Sequence, residues 1–146
     1  MKSLQYSIVI NAPKEKVWKT LWDDETFRIW ANIIDEGTYI KGELQEGNEV
    51  QFISSVNGYG VTDYIDKLIP NQFISFKHAA DTKETGKRGR EKEWTGGTES
   101  YTLMEEDGVT RLILNTDVPE IHRDTFNERL PEALKQIKIL AEKHSE

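Results

Sequence analysis

The chain contains no cysteine, which removes several kinds of chemistry at once. It can form no disulfide, hold no metal through thiolates and use no cysteine nucleophile. No apolar run approaches the roughly 20 residues needed to cross a bilayer, and the opening MKSLQYSIVINAPKEK lacks the pattern of a secretory signal. We therefore expect no membrane insertion and a cytoplasmic location.

Positive charge is also scarce, with 19 lysines and arginines against 26 acidic residues and a formal net charge of −7. Because phosphate contacts require a basic face, we expect no nucleic-acid partner. The length of 146 residues and the hydrophobic fraction of 36% fit one globular domain, residues 1–146, that can bury a core.

Residues that could carry catalysis are few. His78, His122 and His144 are far apart and lack the spacing of a metal site, and His78, at a predicted strand end, is more typical of a structural histidine than of a general base. Strand alternation places Asp63 and Asp66 on opposite faces, so one can point inward with a perturbed pKa, although a solvated edge or a hydrogen bond to a tyrosine is the simpler interpretation. No nucleophile, phosphate-loop or dinucleotide motif occurs. We predict no metal, no cofactor and no enzymatic activity.

The last stretch, roughly residues 121–144, has the period of an amphipathic helix. Apolar residues recur there in steps of three and four, at Phe126, Leu130, Ala133, Leu134, Ile137, Leu140 and Ala141. Pro131 has no N–H and predicts a kink or a new helix start near Leu130. A long helix with such a stripe requires a broad apolar surface to cover.

The rest of the chain predicts that surface. Alternation over residues 4–10 indicates a strand, helical spacing over residues 14–30 indicates two short helices, and residues 37–118 read as strands joined by turns such as Asn57-Gly58. No helix separates these middle strands, so we expect an antiparallel meander. The prediction is an α+β helix-grip fold, in which a curved sheet of about seven strands wraps around the C-terminal helix.

Several segments resemble a known family. The run IVINAPKEKVW at residues 8–18 is similar to the opening of the START-like, or Bet v 1-like (SRPBCC), superfamily. The segments ESYTL and DGVTRL at residues 99–112 and LPEALKQIK at residues 130–138 resemble the branch related to the activator of Hsp90 ATPase. The resemblance implies a helix-grip domain with an apolar cavity that often holds a small hydrophobic ligand. It implies no single chemistry, because members include ligand carriers, co-chaperone domains, cyclases and stress proteins.

We predict a cavity wall of bulky side chains, in which the hydroxyls of Tyr64 and Tyr101 orient a ligand: Trp22, Trp30, Phe52, Tyr64, Phe76, Trp94, Tyr101 and Phe126. Residues 81–93 form the most polar stretch. They are interpreted either as a solvated connection or as a lid that brings Lys87, Arg88 and Arg90 to an acidic partner or to the carboxylate of an anionic aromatic ligand.

The predicted function is therefore binding of a small hydrophobic molecule, lipid-like or aromatic, with stress response as a candidate setting. The alternative is a non-catalytic, co-chaperone-like interaction module with a chaperone-like protein partner.

Overall fold

The computed structural model describes residues 1–83 and 96–143. Within these residues seven strands and three α-helices follow one another, with a short 3-10 turn at Glu120–His122. The strands are β1 (Lys2–Ile10), β2 (Thr38–Lys41), β3 (Glu49–Ser54), β4 (Tyr59–Ile69), β5 (Phe73–Lys83), β6 (Thr98–Glu106) and β7 (Val109–Val118). The helices are α1 (Lys14–Trp22), α2 (Asp24–Ile34) and α3 (Arg123–Glu142).

All seven strands belong to one antiparallel sheet in the order β1-β7-β6-β5-β4-β3-β2. Consecutive strands from β2 to β7 are neighbours, which is the predicted meander, and β1 joins at the β7 edge. The curled sheet, the two short helices after β1 and the long C-terminal helix confirm the predicted helix-grip fold. In the part of the chain that the structure describes, no helix is long and apolar enough to cross a membrane.

Helix α3 covers the sheet with the predicted stripe, of which Leu130, Ala133, Leu134, Ile137 and Ala141 are buried. The helix runs through Pro131 and does not start again there. Its C-terminal end is connected to the residue that follows β1, because the Glu142 carboxylate accepts a hydrogen bond from the Asn11 backbone N–H at 2.7 Å.

The opposite half of α3 meets the end of α2. The Arg129 guanidinium donates to the Ile34 carbonyl oxygen at 2.8 Å, which satisfies a helix-terminal acceptor and ties the two helices together. Phe126 is half-buried one turn earlier and packs against the core. The N-terminal half of α3 therefore lies beside the end of α2.

Aromatic rings fill the space under the short helices. Trp22 lies at the centre, with its ring centroid 5.0 Å from that of Tyr101 and 5.7 Å from that of Phe76. Phe27 and Trp30 are buried beside them, and most of these pairs meet edge to face, the favoured geometry for aromatic rings. The two short helices therefore cover a dense aromatic core.

Candidate functional site

A cavity of about 160 Å³ lies between the concave face of the sheet, α2 and the N-terminal half of α3. Its wall is mostly apolar and is formed by Phe27, Trp30, Ala31, Ile34, Phe52, Gly60, Val61, Leu114, Phe126 and Leu130. The polar wall residues are Asp35, Thr38, Asp63, His78, Glu99, Tyr101 and Thr116. The space is therefore an apolar chamber with a defined group of polar side chains.

Strand pairing brings most of these polar residues into one row across the sheet. Asp63 on β4 is opposite His78 on β5, and Glu99 on β6 is opposite Thr116 on β7. The backbone of His78 pairs with Gly96 and Gly97, just before β6 begins. We call Asp63, His78, Glu99, Tyr101 and Thr116 the polar row.

Asp63 and His78 form a buried pair. The Asp63 carboxylate lies 2.5 Å from His78 Nδ1, and the two residues are 1% and 4% exposed. Burial raises the pKa of Asp63 despite the opposing effect of His78. Burial alone would lower the pKa of His78, but the hydrogen bond and charge of Asp63, helped by Glu99 and Asp117, leave it raised. Removal from water therefore decides the direction of the Asp63 pKa shift, whereas the neighbouring carboxylates decide that of His78.

Glu99 is the second carboxylate of the row. It accepts hydrogen bonds from the Tyr101 and Thr116 hydroxyls. Burial raises the pKa of Glu99 and exceeds the opposing effects of His78 and these two hydroxyls. Burial and the adjacent Glu99 hold the pKa of Tyr101 well above its usual range, so this phenol stays protonated and acts as a donor to Glu99.

Local backbone features position the row. The β4–β5 register shifts between Thr62 and Asp63, and this irregularity accompanies the alignment of Asp63 with His78. Gly97 passes closely beneath the histidine, since a Cβ atom there would lie 3.0 Å from His78 Cδ2. The glycine therefore leaves room for the imidazole ring.

The structure places the predicted wall residues in three groups. Trp30, Phe52, Tyr101 and Phe126 line the cavity. Trp22 and Phe76 belong to the aromatic core and are not part of the wall, and Tyr64 lies on the outer face, 39% exposed. Trp94, Lys87, Arg88 and Arg90 lie outside the described residues.

The aspartates divide as strand alternation requires. Asp63 points inward, whereas Asp66 is exposed and lies 3.4 Å from Lys77 Nζ. His78 lies within β5 and not at a strand end, because β5 extends to Lys83. Sequence reasoning missed Glu99, although period two from the buried Tyr101 and Leu103 places it on the inner face.

The raised pKa of Glu99 predicts how the free energy of unfolding changes with pH. Because the folded chain holds this proton more tightly than the unfolded chain, the contribution of Glu99 falls as pH rises from the usual glutamate range through its folded pKa. We expect Glu99→Gln to gain stability relative to the wild type over that rise, measured by urea unfolding in a pH series.

Asp117 provides a control of opposite sign. Burial would raise its pKa, but hydrogen bonds from Ser3 and Thr98 outweigh burial and leave it lowered. The stabilisation that Asp117 contributes is therefore present above the usual aspartate pKa range and is lost as pH falls through its folded pKa. Asp117→Asn should gain stability relative to the wild type only in acid, because only there does the wild type lose this contribution. If the difference in free energy of unfolding between Glu99→Gln and the wild type does not change with pH, the raised pKa of Glu99 is contradicted.

The curved sheet, the helix that lies across it and the chamber between them define a helix-grip protein of the START-like, Bet v 1-like class. A family model gives the finer assignment. Residues 11–142 match the model described as Activator of Hsp90 ATPase homolog 1-like protein, and the chain belongs to that family. This confirms the resemblance found in the sequence. A search among curated proteins gave no significant match.

Solved structures share the fold at low sequence identity. The solution structure of the Aha1 dimer from Colwellia psychrerythraea is 22% identical over 97% of both chains, with a TM-score of 0.74. Protein MLL2253 from Mesorhizobium loti is 12% identical over 99% of this chain and all of that one, with a TM-score of 0.76. DynU16, from the dynemicin biosynthetic locus, is 11% identical with a TM-score of 0.72; the match covers 98% of this chain but 48% of DynU16, so this chain spans about half its length.

Proposed function

We propose that this protein binds a small, mostly apolar ligand in the chamber between α3 and the sheet. The cavity is the observation that carries the proposal, because a packed interior would leave no space for a guest. Its wall combines aromatic area with a few polar groups, the usual composition of small-molecule sites. In this proposal the protein is a cytoplasmic carrier and not an enzyme.

The cavity volume favours one aromatic ring over a lipid chain. At about 160 Å³ it is close to the roughly 150 Å³ engineered apolar cavity that holds benzene. Phe27, Trp30 and Phe52 offer ring faces and edges to a flat guest. A single-ring compound is therefore our choice among the lipid-like and aromatic ligands that the sequence suggested.

Ligand-induced stabilisation tests the proposal. Toluene present at 100 times its Kd should raise the Tm by roughly 5–10 °C, because a ligand that binds only the folded state stabilises it by about 2.7 kcal/mol. Val61→Phe, which places a ring at a wall position on β4, should abolish most of this rise.

Tyr64→Phe is the matched control, since Tyr64 lies on the same strand but on the outer face. It should keep the toluene response of the wild type. Equal responses of Val61→Phe and the wild type would show that toluene binds elsewhere.

A second candidate is a co-chaperone-like interaction module. Family membership favours it, as does the match over 97% of both chains to the Colwellia protein, which is described as an Aha1 dimer. Such a module would act through its surface. Stimulation of an Hsp90 ATPase by the wild type and by Val61→Phe alike, without any toluene response, would favour this function over ligand binding.

A further inference from the structure

The cavity wall can accept more hydrogen bonds from a ligand than it can donate. Its side-chain donors are already engaged: Trp30 Nε1 donates to the Leu21 carbonyl oxygen at 3.2 Å, and the Thr38 hydroxyl donates to the Asp35 carbonyl oxygen at 2.7 Å. The Tyr101 and Thr116 hydroxyls donate to Glu99. The three hydroxyls and the Glu99 carboxylate can still accept hydrogen bonds from a ligand, whereas the Trp30 N–H can only donate and is already engaged. A ligand that must itself accept hydrogen bonds therefore finds no donor among these groups.

The histidine does not change this inventory. His78 Nδ1 is engaged with Asp63, and Nε2 is a fully buried atom. The imidazole therefore presents no accessible N–H to a ligand in this geometry.

The charged groups of the wall also favour a ligand that donates hydrogen bonds. Its described residues include three carboxylates, Asp35, Asp63 and Glu99, and no lysine or arginine. Arg129 donates to the Ile34 carbonyl oxygen at the end of α2 and does not line the cavity. Asp63 has His78 as its counter-ion, whereas Glu99 forms no ion pair within 4 Å among the described residues. The polar row thus carries one carboxylate more than its single histidine can neutralise.

We propose that the ligand of this cavity is a single-ring aromatic amine, bound as an ammonium ion with Glu99 as its counter-ion. The proposal rests on the proposed ligand-binding function and names its ligand class. An ammonium group has three donors and no acceptor, which is the complement of a wall that has acceptors to offer. Its charge balances the unpaired carboxylate, and the aromatic wall accepts the ring.

This ligand class differs from the anionic aromatic compound suggested by the basic residues at positions 87, 88 and 90. Those residues lie outside the described part of the chain. Within the described wall, a ligand carboxylate would face Asp63 and Glu99, and burial of like charges at short range is unfavourable. The polar row therefore selects against the anionic ligand.

Four probes that share one ring separate the possibilities by isothermal titration at pH 7: benzylamine, benzyl alcohol, toluene and benzoate. We expect benzylamine to bind about tenfold more tightly than toluene, because a charged hydrogen bond to Glu99 is added to the same ring contacts. Benzyl alcohol should fall between these two, and benzoate should bind more weakly than toluene.

Glu99→Gln is the decisive variant. It keeps the size of the side chain and removes its charge, so benzylamine should lose about tenfold in affinity while toluene affinity stays within a factor of about two. Retained toluene binding also shows that the variant is folded and its cavity open. Val61→Phe should weaken all the probes together.

The outcomes distinguish the two proposals. Toluene bound in a manner sensitive to Val61→Phe, with benzylamine no tighter than toluene or unaffected by Glu99→Gln, would overturn the amine assignment and leave ligand binding intact. Tighter binding of benzoate than of benzylamine would also overturn it. Failure of all four probes to bind would remove both the proposed function and the ligand class.

Discussion

Asp63→Ala should lower the free energy of unfolding by about 3–5 kcal/mol, although it removes a single carboxyl group. The Asp63 carboxylate lies 2.5 Å from His78 Nδ1, and both side chains are almost fully buried. Removing one member leaves the imidazole in a low-dielectric site without its counter-ion, which is far costlier than loss of a surface pair. Urea unfolding monitored by tryptophan fluorescence at pH 6 measures the effect.

Asp66→Ala is the matched control on the same strand. Asp66 lies 3.4 Å from Lys77 Nζ with 44% of its side chain exposed, so its loss should cost less than about 1 kcal/mol. The double variant Asp63→Leu, His78→Phe should recover most of the Asp63→Ala loss, because neither buried charge remains. Equal costs for Asp63→Ala and Asp66→Ala would show that the buried pair contributes no more than an exposed one.

The order of elements was predictable because its signals are local. Period two over β1, helical spacing in α1 and α3, and turn residues such as Asp107-Gly108 act within a few positions of one another. Asp107 and Gly108 do adopt positive φ angles, 52° and 79°, as a tight hairpin turn requires. The fold class followed from these segments and from the lack of helices between the middle strands.

Local signals of this kind could not predict which residues of β4 point inward. Asp63 and Tyr64 are neighbours, so one must point inward, and composition alone favours the tyrosine. The structure buries the aspartate, because His78 on the next strand supplies a partner for it. The β4–β5 register also shifts twice, once beside Asp63 and again between Ile65 and Lys67. Register irregularities of this kind leave no clear mark in one sequence.

Apart from Tyr101, the polar row could not be predicted as a group, for a related reason. Asp63, His78, Glu99 and Thr116 come from four strands and share no motif. Each alone resembles a surface residue of a half-buried strand, and only the pairing of β4 to β7 brings them to one wall. The aromatic part of the wall was easier, because Trp30, Phe52, Tyr101 and Phe126 carry their apolar character with them.

The second large effect concerns Gly60, where two strands approach too closely for a side chain. A Cβ atom at this position would lie 1.9 Å from the Phe52 carbonyl oxygen and 2.8 Å from Ile53 Cα, both on β3. These are backbone atoms, which cannot rotate away, so β3 must separate from β4. We expect Gly60→Ala to cost about 3 kcal/mol or more in urea unfolding, the upper range for overpacking. Because Phe52, Gly60 and Val61 line the cavity, the affinity for toluene should fall as well.

Gly58→Ala separates this steric effect from backbone conformation. Gly58 lies two residues earlier with a φ of 77°, yet a Cβ atom there would meet nothing within 4 Å. Its replacement should cost only about 1 kcal/mol, the strain of a left-handed residue, and should leave toluene binding unchanged because the turn is not part of the wall. If Gly60→Ala costs no more than Gly58→Ala, the close approach of β3 and β4 does not determine the requirement for glycine at position 60. A larger loss at Gly60, together with weaker toluene binding, would show that the spacing of these two strands shapes this part of the cavity wall.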